Sequence, residues 1–215
     1  MLSDLELELI QIRPKWFIYN NNRPGLGNID VNVWSRVHPR FKNHDGCIVD
    51  LGCLGWNKDF NDKESDNWAG YFFNKKRVIG VDPQEYPNPD AEFFKGFISS
   101  FSGKANLSSE GIDGQMVRSS DGKYTVLTWN DFKTKFSIDS ISILKINIEG
   151  AEWDLIKTLN ADDFSSIDQI AISFHDFLPS LRHKSELTAL CIDKILSNGY
   201  KMVDLGIYGW RLFVK

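Results

Sequence analysis

The stretch Ile143-Leu-Lys-Ile-Asn-Ile-Glu-Gly-Ala-Glu-Trp153 decides the fold. An apolar, isoleucine-rich run that starts at Ile141 breaks at Asn147 into two carboxylates around a glycine, and the chain then turns helical. Such a run fits a strand covered on both faces, as in parallel sheets flanked by helices. Its carboxyl end is a ligand edge, because open α/β sheets bind ligands outside the carboxyl ends of their strands, where the winding direction reverses. Asn147, Glu149 and Glu152 are therefore candidate pocket residues. The alternative for the two glutamates is a helix cap, since carboxylates in a first turn favour the positive end of the helix dipole.

Outward from this strand, the order of elements is regular from Cys47 onward. Strands are expected near 47–51, 77–81, 92–97, 141–148, 169–174, 201–205 and 210–214, with helical patterns between them. The clearest helix runs from Lys184 to Asn198, where Leu187, Leu190, Cys191 and Ile195 share a face and Gly199 is placed to end it in the left-handed conformation. Tyr200 to Val214, with Gly206 and Gly209 in its middle, reads as an antiparallel hairpin. This succession predicts an α/β doubly wound sheet, mostly parallel, with an antiparallel C-terminal hairpin. Residues 46–215 form that domain, and residues 1–45 form an N-terminal extension packed on it. Leu5, Leu7 and Leu9 alternate like a strand, while Leu2, Leu5, Leu9 and Ile12 fit a helix equally well. Asn20 to Gly27 reads as a loop.

Composition narrows the function classes. With 215 residues the chain is long enough for one α/β domain with a substantial core. A formal charge of -4 argues against a nucleic-acid or membrane surface, and Lys75-Lys76-Arg77 reads as a solvated helix end. Three cysteines, Cys47, Cys53 and Cys191, form no C-x-x-C pair and leave an odd count, so neither a disulfide framework nor a metal site is indicated. The acidic start and the lack of any apolar stretch of membrane-spanning length predict a soluble cytoplasmic protein. Nothing in the chain sets its oligomeric state.

Two further strand ends carry polar groups. Cys47-Ile-Val-Asp-Leu-Gly-Cys-Leu-Gly-Trp56 is an apolar strand running into two glycines, which allow positive φ and close backbone approach to a ligand. An ordinary turn has the same composition. A dinucleotide loop has a third glycine, in G-x-G-x-x-G, which disfavours a nicotinamide-dependent oxidoreductase. The next strand ends in Val81-Asp82-Pro83, where an acidic residue can accept bonds from both hydroxyls of a ribose. The other reading of Asp82 is an Asp that opens a turn before Pro83.

Asp50-x-Gly52-x-x-Gly55, Val81-Asp82-Pro83, Thr128-Trp-Asn-Asp131 and above all Leu144-Lys-Ile-Asn-Ile-Glu-Gly-Ala-Glu152 together resemble the FkbM-type methyltransferases, over roughly residues 46–215. The resemblance implies a class I methyltransferase (Rossmann-like) fold, a seven-stranded sheet whose last strand is antiparallel, and S-adenosyl-L-methionine as cofactor. Carried over position by position, Asp50, Gly52, Cys53 and Gly55 would wrap the methionine part. Asp82, followed by Pro83, would hold the ribose, and Phe97 and Ile98 in the third-strand position would enclose the adenine. Singly, Phe97 and Ile98 also read as core. The chain departs from the family at Asn147, where members usually have Asp, and near Ser173, where they usually have an acidic residue. Asn can orient an amine or hydroxyl but cannot act as a base, and it suits a hard divalent cation poorly.

The implied reaction is O-methylation of a hydroxyl on a sugar, glycan or other small molecule. The activated methyl carbon asks mainly for alignment and exclusion of water. An alcohol benefits from a base, and His175, at the end of the strand over 169–174, is the best-placed imidazole, with Asp176 to orient it. Glu149 is the rival base, and capping of the following loop is the structural alternative for His175. His38, His44 and His183 read as surface residues. Trp56, Trp153 and Trp210, near predicted strand or loop ends, are candidates for stacking on a sugar. The 56–73 region, rich in charge and aromatics, reads as a lid or an irregular helix entry. A scaffold that binds cofactor or glycan without turnover is a further reading.

Overall fold

A computed structural model describes residues 8–12, 36–53, 55–56, 67–84, 87–110, 114–205 and 209–215. Among these, thirteen strands form three sheets. In chain order they are β1 (Ile10–Gln11), β2 (Arg36–Val37), β3 (Cys47–Leu51), β4 (Val78–Val81), β5 (Glu92–Phe94), β6 (Gly96–Ser99), β7 (Gly103–Leu107), β8 (Met116–Arg118), β9 (Tyr124–Thr128), β10 (Ile141–Ile146), β11 (Gln169–Ser173), β12 (Lys201–Asp204) and β13 (Trp210–Val214). The described α-helices are α1 (Trp129–Lys135), α2 (Glu152–Thr158), α3 (Ala161–Ser165) and α4 (Ser185–Ser197).

The main sheet has seven strands in the order β12-β13-β11-β10-β3-β4-β5. Its five strands from β11 to β5 run parallel, while β13 lies antiparallel between β11 and β12. Numbered by their succession in the chain, the seven strands read 3-2-1-4-5-7-6 across the sheet. The winding reverses between β3 and β10, so the loops that follow these two strands meet at the switch point.

Alternation along the central strands builds a core on each face. Val49, Leu51, Ile79, Val81, Leu144, Ile146, Ile170 and Ile172 face the larger core, with Phe132, Trp153, Leu155, Phe164 and Ile195 from the helices. Ile48, Val78 and Ile143 face a second core with Ile12, Val37, Phe41, Trp56, Trp68 and Phe72. Burying each of these large side chains contributes about 1.5–3 kcal/mol, which explains why the middle of the sheet is apolar on both sides. At the far edge, Ala171, Val203, Leu205, Trp210, Leu212 and Val214 form a third cluster.

The helices begin and end where their sequences dictate. Thr128 caps α1 by accepting a bond from Asp131 N at 3.2 Å, and Asn160 with Asp163 forms a reciprocal capping box on α3. Gly199, at φ 89°, ends α4. Of the face expected on α4, Cys191 and Ile195 are buried and Leu187 packs against the core, but Leu190 is 62% exposed. The helix turns only a narrow stripe inward.

Three expectations change. The strand expected over 92–97 is two strands, broken at Lys95: β5 completes the main sheet, and β6 begins a separate four-stranded sheet of order β6-β9-β7-β8. Phe97 and Ile98 therefore lie in this second sheet rather than in the third strand of the main one. His38 is buried, not superficial: its backbone exchanges two hydrogen bonds with the Gln169 side chain, each 2.9 Å, and its Nε2 meets Glu8 at 2.7 Å. Lys75-Lys76-Arg77 is a set of staples, with Lys75 over Tyr71, Lys76 bonded to the His44 carbonyl, and Arg77 forked onto Glu92 at 2.6 and 3.1 Å. In the 56–73 region, Trp56, Trp68, Ala69 and Phe72 pack into the second core, while residues 57–66 lie outside the described residues. So do residues 1–7 and the 20–27 loop, and Gly206 in the terminal hairpin.

Candidate active site

The carboxyl edge of the main sheet gathers the polar strand ends. Register pairs Leu51 with both Ile146 and Val81, so the turns after β3, β4 and β10 emerge side by side. Gly52 N donates to Val81 O at 2.8 Å, and Asn147 N donates to Leu51 O at 3.0 Å. Gly52 has φ 77°, and a Cβ there would fall 1.8 Å from the Asn147 carbonyl oxygen. Only glycine lets the β3 loop and the β10 turn approach this closely. Gly55 also has positive φ, at 93°.

Behind this contact lies a buried ion pair. Lys145 Nζ is 2.7 Å from Asp50 Oδ1 and donates to the Gly52 carbonyl at 2.6 Å, with side chains only 6% and 1% exposed. Trp56 Nε1 donates to the other oxygen, Asp50 Oδ2, at 3.0 Å. The indole lies over Gly80, where a Cβ would meet it at 2.2 Å. Asp50 is thus a brace for the loop, and Lys145 is a site residue that the sequence reading passed over. Asp50 and Lys145 are paired in register on adjacent strands, but that pairing needs the strand order before it can be read. Cys53 is 1% exposed and turns its side chain into the second core.

Asp82 is buried and follows β4, with its backbone N donating to Phe94 O at 3.3 Å. Its Oδ1 accepts from Gln84 N at 2.7 Å, so the turn-opening role holds for this oxygen. Pro83 is half-buried beside it. Ile98 is buried in the larger core, while Phe97 is half-buried and meets Tyr124 edge-on at 5.7 Å.

The other half of the edge is a chain of three ionisable side chains. His175 Nδ1 lies 2.7 Å from Glu152 Oε1, and Nε2 lies 3.2 Å from Glu149 Oε1. Glu152 is fully buried and also accepts from Ile148 N at 3.1 Å and Gly150 N at 3.0 Å. It closes the turn like a cap and grips the imidazole at once. Burial by itself pulls the His175 pKa down, but hydrogen bonds and charge attraction from Glu149 and Glu152 outweigh it and raise the pKa to about 10. The imidazole therefore holds its proton at neutral pH and donates from both nitrogens. A free imidazole base, as expected from sequence, is not what this geometry provides, and the groups that orient His175 are the two glutamates rather than Asp176.

Glu149 has the opposite character. Its side chain is 21% exposed and its backbone sits at φ 51°, a left-handed conformation uncommon for a non-glycine residue. The Asn147 carboxamide makes no hydrogen bond among the described residues. The three tryptophans considered for sugar stacking are all buried: Trp56 in the second core, Trp153 bonded through Nε1 to Thr188 at 2.9 Å, and Trp210 in the far-edge cluster. The aromatic ring at the open side is Phe177, 37% exposed and tilted on His175 at 5.4 Å. Among the described residues no group of three or more His, Cys, Asp or Glu is disposed to hold a metal ion, and no helix is long and apolar enough to cross a membrane.

No protein-family model matches the chain, and no curated protein matches it. Solved structures do. An FkbM methyltransferase from Methylobacillus flagellatus KT aligns with 94% of this chain and 48% of its own, at 16% identity and a TM-score of 0.46. The fibrillarin pre-rRNA processing protein of Methanococcus jannaschii aligns with 79% of this chain and 65% of its own, at 11% identity and a TM-score of 0.37. The chain thus spans about half the length of the first protein and less than two thirds of the second. Its link to the FkbM-type family stays one of motif. The fold is fixed by the sheet itself, whose order, with the reversed seventh strand set between the fifth and sixth, is that of the class I methyltransferases.

Proposed function

We propose that the protein transfers a methyl group from S-adenosyl-L-methionine to a hydroxyl of a sugar, a glycan or another small molecule. The observation that carries this reading is the convergence of the Gly52 loop, Asp82 and the Glu149–Glu152 turn on one edge of the sheet at its switch point. The residues suit the cofactor. Asp82 is a buried carboxylate directly after β4, where a ribose would be read, and Gly52 and Gly55 both take positive φ in the loop after β3. The cofactor supplies an already activated methyl group. What the chain must add is alignment, exclusion of water and a destination for the acceptor's proton.

Glu149 is assigned that last task. Its Oε1 is held by the imidazolium of His175, while Oε2 makes no hydrogen bond among the described residues. Oε2 receives the proton of the acceptor hydroxyl as its oxygen bonds to the methyl carbon and the sulfur leaves as the thioether. Glu152 fixes the imidazolium from the other side. A second reading, binding without turnover, draws on His175 retaining its proton and on Asn147 standing where an acid is usual; it predicts cofactor binding with no methylated product.

Calorimetric titration with S-adenosyl-L-methionine, S-adenosylhomocysteine and NAD tests the proposal on the wild type and on Asp82→Ala. The expected result is binding of the two adenosyl ligands and not of NAD, weakened in the variant by roughly 2–4 kcal/mol as two charge-assisted bonds are lost. Binding of NAD alone would overturn it.

A further inference from the structure

Lys145 has one more donor than the protein uses. An ammonium has three N–H groups. One donates to the Gly52 carbonyl at 2.6 Å, a second faces Asp50 Oδ1 at 2.7 Å across an ion pair that leaves this oxygen without a hydrogen bond, and no other partner of Lys145 exists among the described residues. The side chain is 6% exposed, so bulk water does little to satisfy the third. A buried donor left without an acceptor costs about 1–3 kcal/mol, more when it is charged. Charge arithmetic sharpens the point. Replacing a buried ion pair with apolar residues of similar size is often neutral or stabilising, so fold stability alone is a weak reason to find Lys145 here.

Its location supplies a better one. Lys145 stands on β10 opposite Asp50 of β3, one residue behind Ile146 and Leu51, and its chain climbs to the carbonyl of the first loop residue beyond the strand. The ammonium therefore lies beneath the loop that the cofactor reading assigns to the methionine part. Asp50, the acidic group of that loop, is ion-paired with Lys145 and accepts from the Trp56 indole.

We propose that Lys145 is a cofactor-anchoring residue whose third N–H takes the carboxylate of the methionine moiety. This rests on the cofactor reading above. The carboxylate is the one anionic group of S-adenosyl-L-methionine and of its demethylated product, which makes it the natural complement of a buried ammonium. The consequence is selectivity: adenosyl thioethers that lack the aminocarboxylate have nothing for Lys145 to hold, so their binding does not depend on it.

The test compares two probes by calorimetry, S-adenosylhomocysteine and 5′-methylthioadenosine, which keeps the adenosine and thioether but not the aminocarboxylate. On Lys145→Met, affinity for S-adenosylhomocysteine is expected to fall about 10–100-fold, the loss of one charge-assisted bond, and that for methylthioadenosine by less than about twofold. Because Lys145→Met leaves Asp50 buried and unpaired, the double variant Asp50→Asn with Lys145→Met, which removes both charges, is measured alongside and is expected to show the same selective loss. Equal loss of both probes would make Lys145 a brace of the loop and overturn the proposal, as would unchanged affinity for S-adenosylhomocysteine. A wild type that binds neither probe would fail the cofactor reading itself, and the inference with it.

Discussion

Two charge clusters stand on neighbouring strand ends, and solvent reaches them differently. Asp50 and Lys145 are 1% and 6% exposed, and the carboxylate meets the ammonium with one oxygen and the Trp56 indole with the other. In the Glu152–His175–Glu149 chain exposure rises from 0% through 5% to 21%, and the last carboxylate has an oxygen to spare and a strained backbone. The first cluster is closed on the loop side and fixes the shape of the loop. The second is closed at one end and open at the other, which is what a group that must exchange a proton with a ligand requires. Proximity to the same sheet edge thus does not imply the same environment; the gradient of burial separates a closed pair from an open chain.

The sharpest way to break this contrast is at its closed ends. Glu152→Ala removes the acceptor of two backbone N–H groups and leaves a buried imidazolium with one partner, so a loss of about 3–5 kcal/mol in urea denaturation is expected. A loss under about 1 kcal/mol would reduce Glu152 to an ordinary cap. Asp50→Ala strands the Lys145 ammonium and the Trp56 indole N–H and should cost about 3 kcal/mol, most of it recovered when Lys145→Met is added. No recovery would mean that packing, not charge, holds the loop.

The open cluster is probed by pH. The pKa of His175 is raised by its two carboxylates, so its contribution to stability is complete below the unfolded value of about 6.5 and is lost as pH climbs through about 10. The stability gap between wild type and His175→Gln should therefore be widest in mildly acidic solution and shrink toward high pH. A gap that is flat with pH would show that the histidine is not held protonated. The smallest effect concerns the backbone of Glu149. Glu149→Ala and Glu149→Gly delete the same carboxylate, but at φ 51° glycine should be the more stable by about 1 kcal/mol, the reverse of the usual order. Equal melting of the two would deny the strain.

The fold was legible where strands are covered twice. Cys47–Leu51, Val78–Val81, Ile141–Ile146 and Gln169–Ser173 are buried along their whole length, so burial on both faces writes itself as continuous apolar sequence. The second sheet escaped notice because it lacks that signature: Gly103–Leu107 buries only Ala105, and Met116–Arg118 buries nothing fully. The break at Lys95 is equally silent, since Phe94 and Gly96 flank it without a change in local pattern. For the site, residue types at strand ends could be named, but their states could not. The protonation of His175 is set by partners 23 and 26 positions away, and the pairing of Lys145 by an aspartate on a strand separated from its own by six others in the chain.

The bonds between His38 and Gln169 span 131 positions, and the central pair β3–β10 joins Asp50 to Lys145 across 95. During synthesis on the ribosome the early strands must wait for the strand that completes the middle of their sheet. Long-range closure of this kind slows folding and leaves apolar edges uncovered in the meantime. The nascent first half is consequently the stage at which this protein most needs a chaperone, and expression at lowered temperature or with holdase co-production should raise its soluble yield.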